Sequence, residues 1–323
     1  MKHRIFISAL LLIAGLVTFQ SCGLQTRTPV IGLLMDQFNV ERWAKDTTYF
    51  IKAVNEMGGK VICMVANGDS EKQKEQAKKL IDEDVDVLVI VPVDLNKAAD
   101  IVKMAKDASK SIISYDRLIQ NSFIDYYISF DNVKVGELQA NYIRQRLGKG
   151  NVALINGPVS DQNSTYMKAG QIGILQPYIE NGEIKIVYNK NVNTWSMEEG
   201  YRLALECLKM PNVNAIIAGN DLLAQGVIKA LKERGLAGKV LVAGQDADSQ
   251  ARENIIAGVQ TLSIYKSIED IAGNAARMAM DLAKGNPITY ATYTVNNGLK
   301  MVPSILLTPT VVNKGNIELQ IRK

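Results

Sequence analysis

Residues 85–115 read VDVLVIVPVDLNKAADIVKMAKDASKSIISY, and this stretch decides the fold. Its opening run, 85–93, is almost continuously apolar. That is the pattern of a strand covered on both faces of a parallel sheet. Residues 96–108 then place apolar side chains at helical spacing, and 111–115 form a second apolar strand. Strand, helix and strand within roughly 30 residues make one βαβ unit.

The unit repeats in both directions. Upstream, 30–35 is a strand and 40–57 a helix with Trp43, Phe50, Val54 and Met57 along one stripe, stopped by Gly58-Gly59. A strand at 61–65 and a helix at 71–81 follow. Downstream, a strand at 126–130 precedes a fresh start of the rhythm. Helices are expected at 134–147, 166–179, 198–208, 222–234, 249–257 and 268–283. Strands are expected between them at 151–156, 184–188, 215–218, 240–243 and 261–265. This alternation predicts an α/β protein with more strands than one doubly wound sheet usually holds. A chain of 323 residues has room for two cores, so two doubly wound parallel-sheet lobes of five or six strands each are expected. No low-complexity linker separates them, which points to several chain crossings.

Composition removes whole classes of chemistry. The only histidine is His3, so no His-based triad, His-ligated zinc or imidazole base is expected in the body of the chain. Lys and Arg number 37 against 33 Asp and Glu, a formal charge of +4. No Lys/Arg-rich run appears, and no nucleic-acid partner is expected. The N-terminus reads MKHRIFISALLLIAGLVTFQSC. Lys2 and Arg4 precede an apolar run at 5–19, too short for a comfortable membrane span but right for a signal segment. Ser21-Cys22 then resembles a lipoprotein processing site. The expectation is a signal peptide at 1–21, lipidation at Cys22 and a short tether over 22–28. Cys63 and Cys207 could pair in an oxidising compartment, but both sit in apolar periodicity and read better as buried thiols.

Ligands of open parallel sheets bind beyond the carboxyl ends of the strands. Polar residues gather there. They are Arg42 behind the first strand, Asp116 and Arg117 after 111–115, Asp161 and Asn163 after 151–156, Asn220 after 215–218, Asp246 after 240–243 and Lys266 after 261–265. Each acid or amide alone could be a helix cap. Their recurrence at one end of both lobes suits a polyhydroxylated ligand, because carboxylates accept from hydroxyls while Arg, Lys and Asn donate. Trp43 and Trp195, the two tryptophans, lie near these loops and offer apolar faces to a sugar ring. Trp43 also shares a stripe with Phe50 and Val54, so it could equally pack its helix onto the sheet.

Several segments carry a family resemblance. They include Glu41-Arg42-Trp43-Ala44-Lys45-Asp46, Tyr115-Asp116-Arg117 and Tyr127-Ile128-Ser129-Phe130-Asp131-Asn132. Further on come Gly244-Gln245-Asp246-Ala247-Asp248, Tyr265-Lys266 and Asn296-Asn297-Gly298-Leu299-Lys300. Over residues 29–317 the chain resembles the periplasmic xylose-binding proteins of ABC sugar importers, type I periplasmic binding proteins. The resemblance implies two lobes, three hinge crossings and closure around one pentose. It implies ligand contacts from Arg42, Asp116, Arg117, Asp161, Asn163, Asn220, Asp246 and Lys266, with Trp195 stacking and Trp43 alongside. Crossings are expected at 130–132, 264–266 and 294–297. The N-terminal lobe would then be 29–131 plus 266–295, and the C-terminal lobe 132–265 plus 296–323. No calcium loop is present, so neither a metal nor a cofactor is expected.

The expected function is a monomeric lipoprotein that binds D-xylose or a similar pentose in the periplasm or cell envelope. It would deliver the sugar to an ABC permease and meet the membrane only through its lipid. A sensory receptor handing the sugar signal to a membrane kinase or chemoreceptor is the alternative. An enzyme using Asp116, Asp161 or Asp246 is disfavoured, because Arg42, Arg117 and Lys266 would keep those acids ionised. A repressor is disfavoured too, since a signal segment stands where a helix-turn-helix would be needed.

Overall fold

The computed structural model describes residues 27–38 and 41–318. The expected signal peptide at 1–21 and the lipidation site Cys22 lie outside the described residues.

The first half of the chain runs β1 (Val30–Met35), α1 (Glu41–Glu56), β2 (Lys60–Val65), α2 (Ser70–Asp82), β3 (Val87–Ile90), α3 (Ala98–Asp107), β4 (Ser111–Tyr115) and β5 (Tyr126–Phe130). The run at 85–93 contributes β3, whose four residues are all buried at the centre of the sheet. Its two faces are covered by separate apolar clusters. One is built with Trp43, Phe50 and Val54 of α1, the other with Leu80 of α2 and Ile101 of α3.

The chain then enters a second sheet. Its elements are α4 (Asn132–Leu147), β6 (Gly150–Asn156), α5 (Gln162–Glu180), β7 (Ile184–Asn191), α6 (Met197–Cys207), β8 (Val213–Ala218), α7 (Asp221–Glu233), β9 (Leu241–Gln245), α8 (Ser249–Ile256) and β10 (Leu262–Tyr265). Helices α4 and α5 pack backbone against backbone. A Cβ built on Gly136 would lie 1.9 Å from the Met167 carbonyl oxygen, and one on Gly170 2.0 Å from that of Val133. Only glycine permits so close an approach.

After β10 the chain returns to the first lobe with α9 (Ile268–Ala283), which packs on α1. It continues through β11 (Tyr293–Asn296) and β12 (Met301–Leu307), and ends with β13 (Thr310–Asn313). The sheets have the orders β11-β12-β5-β4-β3-β1-β2 and β13-β10-β9-β8-β6-β7. Their pairings are parallel except β11–β12 and β10–β13.

One boundary expectation is corrected. The third crossing does not fall at 294–297, and 296–323 is not wholly part of the second lobe. Strand β12 pairs in parallel with β5, from Ser304 beside Tyr127 to Leu307 beside Phe130. Residues 293–307 therefore extend the first sheet, and the chain crosses between Leu307 and Thr310. The reason is a hairpin whose turn contains Asn297 and Gly298, the latter at φ 92°. Asn297 is fully buried and anchors the turn to the first lobe, donating to the carbonyls of Ile119 and Ser122.

Cys63 in β2 and Cys207 in α6 are both free and lie in different lobes. Burial pushes their thiols up to about 11 and about 12. Among the described residues no helix is long and apolar enough to cross a membrane.

Candidate functional site

The carboxyl ends of the two sheets face each other across a cleft of about 390 Å3, part of it open to solvent. All ten residues singled out in the sequence line it: Arg42, Trp43, Asp116, Arg117, Asp161, Asn163, Trp195, Asn220, Asp246 and Lys266. Gln245 joins them. Trp43 packs in the α1 core stripe and also lines the cleft.

The two lobes solve the same local problem alike. Asp116 directly follows β4 and Asp246 directly follows β9. Each has a positive φ, 62° and 93°. Each donates its backbone N–H to the neighbouring strand, Asp116 to the Ile128 carbonyl at 2.7 Å and Asp246 to that of Ile264 at 2.8 Å. A non-glycine residue in this region is held there by its surroundings, and such strain concentrates at functional sites. Asp161 and Asn220 are helix caps as well as lining residues. Their side chains accept from the N–H groups of Asn163 and Leu223. Capping and ligand-facing roles coexist because a cap carboxylate or amide has a second lone pair or group to offer.

The cations are held by acids behind them. Arg42 pairs with Asp46 through Nε at 3.2 Å and with Asp116 through Nη2 at 2.9 Å. The Tyr115 hydroxyl donates to the other oxygen of Asp46. Arg117 donates through Nη1 to Asp36 at 2.7 Å and to the Pro92 carbonyl. Both guanidiniums lie over the Trp43 ring, 4.5 and 5.5 Å from its centroid. Lys266 sits 2.9 Å from Asp246 Oδ1, at the second crossing, with its Nζ over the Phe130 ring of the first crossing.

Polar contacts also span the lobes. Arg117 Nε is 3.2 Å from Asp161 Oδ2, and Arg42 Nη1 is 3.6 Å from Asp246 Oδ1. Asn163 donates to the carbonyl and carboxylate of Asp116, and is oriented by Asn132, which donates to its Oδ1 at 2.9 Å. Trp195 is half-buried on the β7–α6 connection and donates its indole N–H to Asp161 at 3.2 Å. Its ring rests on backbone: a Cβ on Gly157 would meet it at 2.0 Å.

The lining holds three cations, Arg42, Arg117 and Lys266, against three carboxylates, Asp116, Asp161 and Asp246. The balance suits a neutral, hydrogen-bonding ligand. Burial alone would raise the Asp116 carboxyl, but Arg42, Lys266 and Arg117 outweigh it and hold the group below the usual carboxylate range. Burial would pull the Arg42 guanidinium down, yet Asp116, Asp46 and Asp246 keep it well above its ordinary value. Behind the lining the order reverses, and burial pushes the Asp46 carboxyl up against the pull of Arg42. Asp116 is thus an ionised acceptor, without the raised pKa that a general acid needs.

Four site residues are not among the ten expected ligand contacts. Gln245 ends β9, and its Oε1 is buried without a hydrogen-bond partner among the described residues, an acceptor placed to meet a ligand hydroxyl. It stands at the same strand end as Asp246, where the sequence places a run of polar residues. Asp36, Asp46 and Asn132 hold the lining residues from behind, and no local pattern marks them as partners.

Comparison with known proteins gives a consistent picture. The family model described as a periplasmic binding protein domain matches residues 31–287. The chain is 42% identical over 290 residues to the D-xylose-binding periplasmic protein of Escherichia coli strain K12, covering 89% of this chain and 88% of that protein. It is 40% identical over 312 residues to the D-xylose-binding periplasmic protein of Haemophilus influenzae, covering 96% and 94%. An ABC transporter solute binding protein from Clostridium phytofermentans, solved with bound β-D-glucose, superposes with a TM-score of 0.82 at 26% identity, covering 90% of this chain and 96% of that one.

Proposed function

Because the chain belongs to the periplasmic binding protein family, we propose that it captures D-xylose, or an aldopentose of closely similar shape, and delivers it to an ABC-type importer. It is a binding protein and not an enzyme. The observation that carries the ligand reading is the cleft itself. Three carboxylates and three cations, fixed on both lobes beside a tryptophan face, match the hydroxyl edge and the C–H face of one monosaccharide.

The mechanism is closure. Arg42, Trp43, Asp116 and Arg117 come from the first lobe. Asp161, Asn163, Trp195, Asn220, Gln245 and Asp246 come from the second. A sugar that touches both sets favours the closed arrangement by the difference between its contacts in the two states, and that difference is what a permease reads. Lys266 at the second crossing ties the cleft to a hinge. Delivery to an importer is preferred over sensing, as the relatives are named for sugar binding and transport.

Calorimetry against a panel of pentoses and hexoses tests the ligand. One pentose is expected to bind with micromolar affinity or tighter, and hexoses more weakly. If no monosaccharide binds, the assignment fails. The proposal includes a monomeric protein and, on the strength of the Lys2/Arg4 region, the apolar run at 5–19 and Ser21-Cys22, a lipid anchor at Cys22. Cys22→Ser is expected to move the protein from the membrane fraction to the soluble fraction. Unchanged fractionation would remove the anchor.

A further inference from the structure

The connection from β9 to α8 places two consecutive non-glycine residues in the left-handed region, Asp246 at φ 93° and Ala247 at φ 51°. That backbone is uphill for both, so the surroundings must hold it. The holding groups converge on one carboxylate that does not line the cleft. Asp221, the first residue of α7, is 1% exposed. Its Oδ2 accepts from the Asp248 N–H at 3.2 Å and from the Ser263 hydroxyl at 2.7 Å. The same Ser263 oxygen accepts the Ala247 N–H at 2.9 Å. The other oxygen, Oδ1, accepts from Gln260 Nε2 at 2.7 Å. It also lies against β9 itself, where a Cβ on Gly244 would be 2.0 Å away.

Among the described residues no cation pairs with Asp221. Burial, with Asp248 and Asp246 nearby, pushes its carboxyl well above the usual range. An acid in that position is a burden on stability unless its hydrogen bonds secure something else. What they secure is the path of residues 244–248, and with it the place of Asp246 beside Lys266 and Arg42.

We propose that Asp221 is a positioning residue for sugar recognition, which acts through Ser263 and the Asp248 amide to aim the Asp246 carboxylate into the cleft without touching the ligand itself. This rests on the monosaccharide reading above. Alanine at 221 would remove both acceptor oxygens, leaving the Asp248 N–H, the Ser263 hydroxyl and Gln260 Nε2 without this partner and releasing the loop.

The test titrates wild type, Asp221→Ala and Ser263→Ala with D-xylose and with each of its monodeoxy analogues. Asp246→Asn identifies the hydroxyl that Asp246 holds, because its penalty vanishes on the analogue lacking that hydroxyl. Asp221→Ala is expected to weaken D-xylose about tenfold or more, since small misplacements of a contact group carry losses of this order. Its penalty should shrink on that same analogue. Ser263→Ala should show the same profile, and carries the test if Asp221→Ala does not fold. A loss uniform across all analogues, or unchanged affinity, overturns the proposal and leaves Asp221 a structural residue only. If wild type binds no pentose, the ligand reading falls and takes this inference with it.

Discussion

Arg42→Ala is expected to abolish sugar binding and, at the same time, to lower the melting temperature of the ligand-free protein. The guanidinium is 6% exposed and serves three carboxylates, two in its own lobe and one across the cleft. Removing it strips the charge partner from Asp46, which is 1% exposed and keeps only the Tyr115 hydroxyl. Breaking one partner out of a buried ion pair costs about 3–5 kcal/mol. Asp116 retains the attraction of Lys266 and Arg117, so the lower end, about 3 kcal/mol, is expected. Binding loses a fixed donor and one inter-lobe contact, a fall of at least about 100-fold by the tenfold-per-1.4 kcal/mol scale. Asp246→Ala is the informative contrast. Asp246 is 15% exposed and sits on the cleft surface. Its loss should abolish binding while the ligand-free melting temperature barely moves, because water can reach Arg42 and Lys266 when the lobes part. Calorimetry and thermal melts of the two variants separate these outcomes. Equal melting temperatures for wild type and Arg42→Ala would show that the Arg42 network carries no stability.

Gly157→Ala is expected to lower sugar affinity by about two orders of magnitude, close to the effect of Trp195→Ala, with a smaller effect on folding. The added methyl would lie 2.0 and 2.2 Å from two ring carbons of Trp195 and 2.3 Å from the Ser164 hydroxyl. Ring and methyl cannot share that space, so the indole must leave its seat. The move breaks its bond to Asp161, which also faces Arg117. The wall of the cleft is lost without any change in a group that touches the sugar's hydroxyls. Folding suffers less, because Trp195 lies half-buried on a connection and can swing outwards, unlike a core ring. Fluorescence offers an independent readout, as the chain has two tryptophans and Trp43 is buried in the first lobe. A sugar-induced change should shrink to the Trp43 contribution in Trp195→Phe and be altered in Gly157→Ala. Wild-type affinity in Gly157→Ala would mean that the ring's position does not matter to binding.

Much of the fold was legible because its signal is local. The βαβ rhythm fixes period and length within each element, and α9 spans Ile268–Ala283 as its spacing predicts. Helix α5 begins at Gln162, earlier than 166, because its first turn is polar and carries no apolar stripe. That turn is polar since it faces the cleft through Asn163. Strands β11, β12 and β13 went unread. β11 and β13 are four-residue strands at sheet edges, where little apolar surface is covered, and β12, paired on both sides, has its apolar run broken by Pro303 and Ser304.

The sequence alone determined the two-lobed α/β plan and the eight polar residues at the strand ends, with two tryptophans near them. Periodicity and the ligand-binding end of parallel strands are properties of each unit by itself. Only the tertiary structure decided which charge faces which. Arg117 meets Asp36 across 81 residues of chain, and Tyr115 meets Asp46 across 69. It alone decided the crossing between Leu307 and Thr310, the seat of Trp195 over Gly157, and the buried Asp221 beneath the Asp246 loop. Each depends on two distant segments brought to one place, and no local pattern in the chain encodes that register.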